Sequence, residues 1–491
     1  MMMGGYHIHY ARFIATVIII SIGPFICGIS LGFSSSVSAQ LLIGDNLIAF
    51  FSSLINLGAL VGSLIVGPVL NTLGRRAALR ISAVPSIIGW LLIAAAQGLS
   101  PPSTEVEPLL VSSLLLGRIL SGLAAGMMTA VGSVYLVEVA PPHQSGRIGS
   151  LAQFATVAGT CFAYYCGMVT TWYETAEFMA IISVVLLVVT FYLPESPAWL
   201  AKHNQMQAAL GNLIWLRLDQ KVAAQELSDL SPGSSVEAEK PLFLPHSQHA
   251  FRDSAGDRSS TSWLVRLLLP CVTIPPELSG NLRIALLLMV AQQTTGINVI
   301  TFYTEPLCQR MVHVTHSARC AFTLGLAQLF FSLFASFLII NRLPRRLLVV
   351  ATGVVMSISM FFFAVGQQLS PVVPSLALVG FLLGFQCGWG PLAMLVSTEL
   401  FPPQHRGTVG GAAVAVNWIT SFVVTQTFQP FVNALGGGTF SDAGGNNVGI
   451  GEVVIFLFYS TITIFATVWL HRRLPETNKA FLPSAASASV P

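Results

Sequence analysis

Charged side chains are scarce in this sequence, and their scarcity excludes a water-soluble protein. Asp, Glu, Lys and Arg make up only 9% of the 491 residues, against about 25% in an average soluble domain. Apolar residues account for 54% of the chain, and the mean hydropathy is +0.74. Because so few polar groups cannot cover a surface in contact with water, the chain requires lipid around it.

The sequence also lacks the residue patterns that enzyme chemistry needs. It contains no spaced set of metal ligands, no nucleophile beside a base and no Gly-rich phosphate loop followed by Lys. The histidines lie mostly in the N-terminal tail and in polar loops. A net charge of +3 gives no reason to expect nucleic-acid binding. We therefore expect neither an enzyme nor an ATP-driven pump, and no metal, cofactor or nucleic acid as partner.

Long apolar runs take the place of these features. Spanning a bilayer takes roughly 20 predominantly apolar residues in a helix, and twelve stretches of the sequence come close to that requirement. The first stretch is long enough to be a span rather than the short apolar core of a signal peptide. The predicted spans are 13–33, 47–70, 81–98, 109–137, 148–168, 178–193, 284–304, 320–340, 347–366, 373–396, 408–431 and 452–470.

The distribution of Lys and Arg predicts the orientation of these spans. Loops with even numbers and both tails hold nearly all the basic residues, whereas the odd-numbered loops hold only Arg310 and Arg319. Because cytoplasmic loops retain positive charge during insertion, we expect both termini in the cytoplasm. Cys308 and Cys320 then flank one extracellular loop, either as a disulfide or as two buried thiols.

Three motifs occur twice, in the same order in each half of the chain. The matched pairs are Glu138 to Gly146 with Glu399 to Gly407, Gly74-Arg-Arg76 with Pro344-Arg-Arg346, and Pro194-Glu-Ser196 with Pro475-Glu-Thr477. The repeat predicts an all-α membrane protein of two parallel six-helix bundles. The expected divisions are an N-terminal bundle (1–194), a cytoplasmic central loop (195–283) with a helical piece at 204–230 and a flexible linker, a C-terminal bundle (284–474) and a tail (475–491).

Together these strings resemble the sugar porters of the major facilitator superfamily. The resemblance is to facilitative glucose transporters and to insect trehalose-transporter-like proteins. It covers residues 13 to 480, and the strings that carry it are Gly117-Arg118, Glu138, Pro194-Glu-Ser-Pro197, Gln292-Gln-Thr-Thr-Gly-Ile-Asn298, Gly388-Trp-Gly-Pro391, Glu399 with Arg406, Asn417-Trp418 and Pro475-Glu-Thr477.

The resemblance implies a sugar site near the middle of the bilayer. A sugar offers hydroxyl groups that donate and accept hydrogen bonds, and an amide side chain supplies both complements without charge. Gln292, Thr295 and Asn298 recur every three residues, on one side of a helix, although such residues also serve helix–helix hydrogen bonding. The implied site residues are Gln153, Gln292, Gln293, Asn298, Tyr303, Gln328, Met394, Asn417 and Trp418. Met394 stands where the family has Trp and Gln386 where it has an acid, which favours a solute other than ordinary glucose.

A second set of charged residues is implied to form a cytoplasmic gate. Opposite charges at the inner ends of the two halves can pair, close that side and separate when it opens. The set comprises Arg75, Arg76, Arg118, Glu138, Glu195, Arg345, Arg346, Glu399, Arg406 and Glu476. Departures from the family pattern at Thr72, Ser145, Asn341 and Pro344 predict a weaker gate.

Arg118 bears on the coupling mechanism, because an arginine inside a span costs at least about 3 kcal/mol unless it is paired or hydrated. We expect it to face the cavity. Proton-coupled sugar porters place an acid in the first span near this Arg, and residues 13–33 contain none. We therefore favour uniport of a sugar such as a hexose or trehalose by a plasma-membrane monomer. A proton symporter and a non-transporting sensor remain the alternatives.

Overall fold

The computed structural model describes residues 4–41, 44–99, 108–141, 144–217, 219–230, 278–312, 316–340, 342–367, 370, 372–401, 403–436 and 450–477. Its regular structure is entirely helical across these ranges. The expected linker lies mostly outside the described residues, as do Asn341 and most of the expected tail. The side chain of Arg406 lies outside them as well.

Nine α-helices are described in the first part of the chain. Six are long, and three short ones follow the Pro194-Glu-Ser-Pro197 string, where Ser196 caps the first by accepting a hydrogen bond from Trp199 N at 3.2 Å. The predicted helical piece 204–230 corresponds to the last two. The helices are α1 Gly4–Gln40, α2 Asp45–Leu73, α3 Arg75–Ala95, α4 Pro108–Val139, α5 Ser145–Val169, α6 Trp172–Val189, α7 Pro197–Lys202, α8 Met206–Arg217 and α9 Gln220–Leu230.

In the second part nine more α-helical segments are described, and several follow one another end to end along one axis, which we call a helical column. Two columns include a π-helical turn, at Ala335–Ile339 and at Phe385–Trp389. The segments are α10 Ser279–Thr294, α11 Ile297–Phe302, α12 Thr304–Met311, α13 Ser317–Phe334, α14 Arg345–Gly366, α15 Val372–Gly384, α16 Gly390–Glu399, α17 Pro403–Ala434 and α18 Ile450–Arg473.

Eleven helical stretches in the described residues are long and apolar enough to cross a membrane. The predicted fifth span, 148–168, is not among them, yet it forms the 25-residue helix α5. This helix packs against α1 and also against α13. Because α5 is covered by protein on two sides, less of its surface faces lipid. It can therefore contain Gly, Ser and Thr, which lower its hydropathy. With α5 the long helical columns in the described ranges number twelve, as predicted.

Hydrophobic packing follows the two parts of the chain. One buried cluster draws all its members from residues 17–216, and the other draws its members from 282–474 together with Ile55 and Tyr164. The parts meet where α2 packs on α17 and α5 packs on α13. Large apolar side chains such as Phe191 and Phe465 are 63% and 73% exposed. Such exposure suits contact with lipid and is unfavourable in water.

The bundle has two ends, and they differ in composition. One end, which we call the basic face, carries Arg75, Arg345 and helices α7 to α9. The other, which we call the opposite face, carries the α1–α2 connection and the end of α12. Near the opposite face Cys308 Sγ and Cys320 Sγ lie 2.6 Å apart, and both residues are free thiols.

Candidate functional site

The seventh helical column is broken in its middle, and the break lies inside the Gln292 to Asn298 string. Helix α10 ends at Thr294 and α11 begins at Ile297, with Gly296 between them at a φ of 84°. A side chain at this position would be strained by that φ, and its Cβ would lie 2.6 Å from the Tyr459 ring. Glycine is therefore required here. Because the helix is interrupted, the side-chain amides of Gln292 and Gln293 before the break and of Asn298 after it do not follow one continuous helical pattern.

Gln292 lies before the break and joins three columns of the second bundle. Its Nε2 donates to Trp389 O at 2.8 Å and to Gly390 O at 3.2 Å, where the π-helical turn ends. Its Oε1 accepts a hydrogen bond from Asn417 Nδ2 at 2.7 Å. The side chain is 9% exposed, so these bonds satisfy a buried amide, as a structural role requires.

Gln293, Asn298 and Asn417 continue the network to α11 and along α17. Gln293 Nε2 donates to Asn417 Oδ1 at 3.1 Å, and Asn298 Nδ2 donates to Gln293 Oε1 at 2.9 Å and to Ser421 Oγ at 2.5 Å. An amide side chain offers two donor hydrogens and two acceptor lone pairs. The bonds above use only some of these hydrogens and lone pairs, so Gln293 and Asn298 can still form hydrogen bonds with a solute.

The other predicted sugar contacts lie on the surrounding helices. Gln153 and Gln328 stand on α5 and α13, the two helices that pack together across the halves. Gln328 is 4% exposed, and its Nε2 has no hydrogen-bond partner in the part of the chain that the structure describes. An unsatisfied buried donor is costly, so this position suits an acceptor on a bound solute.

Aromatic and apolar residues complete the predicted set. Tyr303 is buried, and its ring centroid lies 5.3 Å from that of Phe428. Trp418 follows Asn417 on α17 and is half-buried, whereas Met394 on α16 is 37% exposed. The structure therefore joins Gln292, Gln293, Asn298 and Asn417 by direct hydrogen bonds and distributes the other members over neighbouring helices.

At the basic face, the charged residues of the first bundle form one compact cluster. Arg75 Nε and Nη2 donate to the two oxygens of Glu138, each at 2.6 Å, and Ser196 Oγ donates to Glu138 Oε2 at 2.5 Å. Glu195 accepts the backbone N–H groups of Arg75 at 2.8 Å and Arg76 at 3.2 Å. Glu195 thus caps the N-terminus of α3, where a carboxylate is favourable.

The second bundle repeats this arrangement. Glu476 accepts the backbone N–H groups of Arg345 at 2.9 Å and Arg346 at 3.1 Å, capping α14 as Glu195 caps α3. Arg345 lies 3.8 Å from Glu399, and Thr477 Oγ1 donates to Glu399 at 2.6 Å. The residue before the helix is Gly74 with a φ of 90° in the first bundle and Pro344 with a φ of −59° in the second. Glu476 therefore caps α14 even though Pro344 stands where the first bundle has Gly74.

The charged pairs Arg75–Glu138 and Arg345–Glu399 both lie within a bundle, and a gate formed between the bundles stays a prediction. The expectation was that charges of one half pair with charges of the other. In these two pairs each acid ends a helix next to the basic helix start of its own half, so its nearest partner lies in the same bundle.

Arg118 was predicted among the gate residues and facing the cavity, and here the prediction is wrong, because it is not part of the basic face. It stands twenty residues before Glu138 on α4, which is about 30 Å along a helix. Its side chain is fully buried rather than facing a cavity; Nη1 donates to Ser30 O at 2.7 Å, and Nη2 bonds Ser34 Oγ. The guanidinium also lies 5.0 Å from the centroid of the Phe51 ring. Arg118 therefore links α4 to α1.

The hydrogen bonds that join the two bundles among the described residues occur toward the opposite face, and sequence reasoning missed them. Tyr164 on α5 donates to Thr301 O at 3.0 Å, and Asn56 on α2 donates to Thr425 Oγ1 at 3.1 Å. Ser53 donates to Gln426 at 2.5 Å. Serine, threonine and tyrosine in apolar helices gave no distinctive signal, since such residues more often bond to their own helix. The halves are thus held together by hydrogen bonds at the end remote from the basic face.

The same region contains Glu305 of α12, which connects to α1. Its backbone N–H donates to Ser35 Oγ at 2.9 Å, and its side chain is 7% exposed. The sequence ended the seventh predicted span at residue 304, which placed this acid in a loop. The structure instead continues the column through α12, so the acid is buried between the bundles.

Comparison with solved structures identifies the fold. Two six-helix bundles with a broken seventh helix match the major facilitator transporter fold, as in the proton:xylose symporter XylE bound to 6-bromo-6-deoxy-D-glucose. That match has a TM-score of 0.72 at 20% identity and covers 96% of this chain and 97% of the other. An inward-open structure of XylE from E. coli matches with a TM-score of 0.70, 20% identity and coverage of 95% and 97%.

The chain belongs to the family described as "Sugar (and other) transporter", whose model matches residues 33–486. Similar curated proteins include the solute carrier family 2, facilitated glucose transporter member 8 of Mus musculus, 29% identical over 84% of each chain. The facilitated trehalose transporter Tret1 of Apis mellifera ligustica is 28% identical, with coverage of 91% of this chain and 83% of its own. The protein is thus a multi-pass membrane carrier of this family and not an enzyme.

Proposed function

We propose that this protein is a facilitative uniporter that carries a sugar such as a hexose or trehalose across a membrane by alternating access. The observation that carries the proposal is the amide network of Gln292, Gln293, Asn298 and Asn417 at the helix break. It is polar and uncharged, and its member Asn298 stands on α11, which packs against α1 of the first bundle and α17 of the second. Such a position suits a neutral polyhydroxyl solute between the bundles. The names of similar proteins, which include glucose and trehalose transporters, support the same class of substrate.

In this proposal Gln293, Asn298 and Asn417 bind sugar hydroxyls directly, and Gln292 holds Asn417 in position. Gln153 and Gln328 contribute from α5 and α13, so closure of the halves around the solute brings both bundles into contact with it. Tyr303, Met394 and Trp418 provide apolar surface for the CH face of the ring. The break at Gly296 gives α10 and the α11–α12 segment separate freedom to move, as broken helices do in transporters.

The capped charge clusters at the basic face have a supporting role in the cycle. Because Arg75 with Glu138 and Arg345 with Glu399 are paired within their own bundles, they hold each half rigid while the halves rock. We place the basic face in the cytoplasm together with both termini, on the asymmetry of Lys and Arg. In that orientation the hydrogen bonds from Ser53, Asn56 and Tyr164 close the outer side. We further propose a monomer in the plasma membrane.

Uniport is favoured over proton symport because α1 provides no acid to Arg118. The arginine bonds a backbone carbonyl and a serine hydroxyl of α1 instead. A proton carrier on this helix needs a titratable group, and residues 4–40 contain no Asp or Glu. A sensor without transport is the remaining alternative, and it differs in that it binds sugar but does not complete the cycle.

The test is uptake of labelled glucose, fructose and trehalose into proteoliposomes that contain the purified chain, with and without an imposed pH gradient. Gln293→Ala removes two hydrogen bonds of the network, whereas Gln207→Ala changes an exposed glutamine of α8 and is the matched control. We expect uptake that equilibrates without a gradient and falls only in Gln293→Ala.

Other outcomes assign other functions. Accumulation above equilibrium that requires an inward proton gradient would replace uniport with symport. Sugar binding by the purified protein without uptake would indicate a sensor. If neither binding nor uptake of any sugar is measured, the proposed substrate class is wrong.

A further inference from the structure

The carboxylate of Glu305 is buried between the two bundles, away from compensating charge. The residue is 7% exposed, no described residue forms a hydrogen bond or ion pair with the carboxylate, and its two oxygens keep only a small accessible area. A Cβ built at Gly167 on α5 would lie beside Ser36 of α1 and 3.7 Å from Glu305 Oε2. The carboxylate therefore points into the contact between α12, α1 and α5.

The described ionisable groups around it supply no compensating positive charge. Helix α5 carries the thiols Cys161 and Cys166 and the phenols Tyr164 and Tyr165. The Tyr164 hydroxyl is bonded to Thr301 O and Thr304 Oγ1. Arg147 of the same helix lies twenty residues before Gly167, which is about 30 Å along the helix. Thiols stand on α12 itself and on α13, at Cys308 and Cys320, and Arg319 on α13 is exposed. Between residues 372 and 384, helix α15 carries no ionisable side chain.

Two buried or half-buried arginines of this part of the fold are already engaged. Arg310, five residues along α12, pairs with the buried Glu452 of α18. Arg118 bonds Ser30 and Ser34 of α1, although Ser35 of the same helix accepts the backbone N–H of Glu305. Neither guanidinium compensates the Glu305 carboxylate.

The charge on Glu305 therefore depends on the conformation of the outer gate. Burying an ionised carboxylate without a partner is strongly unfavourable, and such a group binds a proton instead. When α12 separates from α1 and α5, water reaches the carboxylate and the ionised form is stabilised. Closing the outer side takes up one proton from the outer solution, and opening it returns that proton to the same solution.

We propose that Glu305 is a proton-binding site of the outer gate, occupied when the gate is closed and vacated when it is open. Such a site makes gating sensitive to external pH without coupling transport to a proton gradient, because the proton enters and leaves on the same side. The inference rests on the alternating-access cycle and orientation proposed above, but not on the identity of the solute.

The test measures the gate itself. Ser53→Cys places a thiol on α2 where Ser53 is fully buried against Gln426 of the other bundle, and a membrane-impermeant maleimide added to whole cells labels it only when the outer side opens. The labelling rate is compared between external pH of about 5.5 and about 8.0 in chains that carry Glu305 or Glu305→Gln. At each pH the labelling rate of the Glu305 chain is divided by that of the Glu305→Gln chain. This ratio removes the pH dependence of the thiol's own reactivity, because both chains carry the same Ser53→Cys.

We expect labelling of the Glu305 chain, relative to Glu305→Gln, to fall about threefold or more on acidification, since one titrating proton shifts an equilibrium by up to about tenfold per pH unit. Glu305→Asp retains an ionisable group and should retain the effect. Glu177→Gln, at an exposed position of α6, should behave as the unmodified chain does.

A labelling ratio that does not change with pH would overturn the proposal, as would an unchanged pH effect in Glu305→Gln. Sugar uptake measured on the same variants separates this inference from the proposed function. If labelling depends on Glu305 and pH but no sugar is transported, the substrate proposal fails and the proton site stands.

Discussion

Replacing Gly296 by alanine tests the helix break at the centre of the candidate site. The φ of 84° is accessible to glycine and costs another residue about 1–2 kcal/mol. In addition, the new methyl group would lie 2.6 Å from the buried ring of Tyr459, well inside van der Waals contact, and pushing the ring aside adds a cost of typically 1–3 kcal/mol. We expect a total loss of roughly 2–5 kcal/mol, with the strain concentrated where Gln293 and Asn298 are joined.

The assay is thermal unfolding of the purified protein in detergent. If one bundle unfolds as a unit of about 200 residues, each kcal/mol corresponds to roughly 2–4 °C, so Gly296→Ala should lower the apparent Tm by at least about 4 °C. Gly211→Ala on α8 is the matched control, because a Cβ at that position meets no described atom within 4 Å. Alanine there should leave the apparent Tm unchanged or raise it.

A second pair of variants separates the two contributions at Gly296. Tyr459→Ala makes space for the methyl group, so Gly296→Ala should cost less in the Tyr459→Ala background than in the unmodified chain, and the remaining loss should reflect the φ alone. If Gly296→Ala is as stable as Gly211→Ala, the backbone at this position is not left-handed and the described break does not exist.

Two further predictions concern the charged residues. Glu476→Gln keeps one acceptor but loses the charge that caps α14 through Arg345 N and Arg346 N, so it should destabilise the protein by about 1–2 kcal/mol. Thermal unfolding beside the exposed Glu177→Gln would measure this, and equal values for the two variants would contradict the cap. Arg118 is fully buried and bonds neutral partners on α1, so Arg118→Met should unfold at or above the temperature of Arg118→Lys, which retains the buried charge without the two-pronged donor. A more stable lysine variant would show that an acid or water compensates the charge.

Much of the fold was predictable from the sequence because its signals are local. The low charge content and the twelve apolar runs predicted the class and the number of long helices, since each span must satisfy its own backbone in lipid. The duplicated Glu-Pro-Pro, Arg-Arg and Pro-Glu strings predicted two similar bundles. The Gln292 to Asn298 string likewise predicted that Gln292, Gln293 and Asn298 act together, and the structure joins them to Asn417 by hydrogen bonds.

The partners of the charged residues were not predictable in the same way. Arg75 and Glu138 are 63 residues apart in the chain, and nothing local to either string distinguishes a pair inside a bundle from one between bundles. Arg118 appeared with the gate residues because the family motif contains it, but helix geometry places it about 30 Å from Glu138.

The sequence by itself thus determined what lies in the membrane, how many helices cross it and which strings are repeated, because hydrophobicity and turn residues act over a few residues. Only the tertiary structure decided which side chains face one another across the bundles. Glu305 shows the reason: a single acid after an apolar run is typical of the start of a loop, and its burial against Ser35 and Gly167 arises from helices that lie far apart in sequence. Packing between distant segments, rather than the composition of any one of them, buried that carboxylate where no described residue pairs with it.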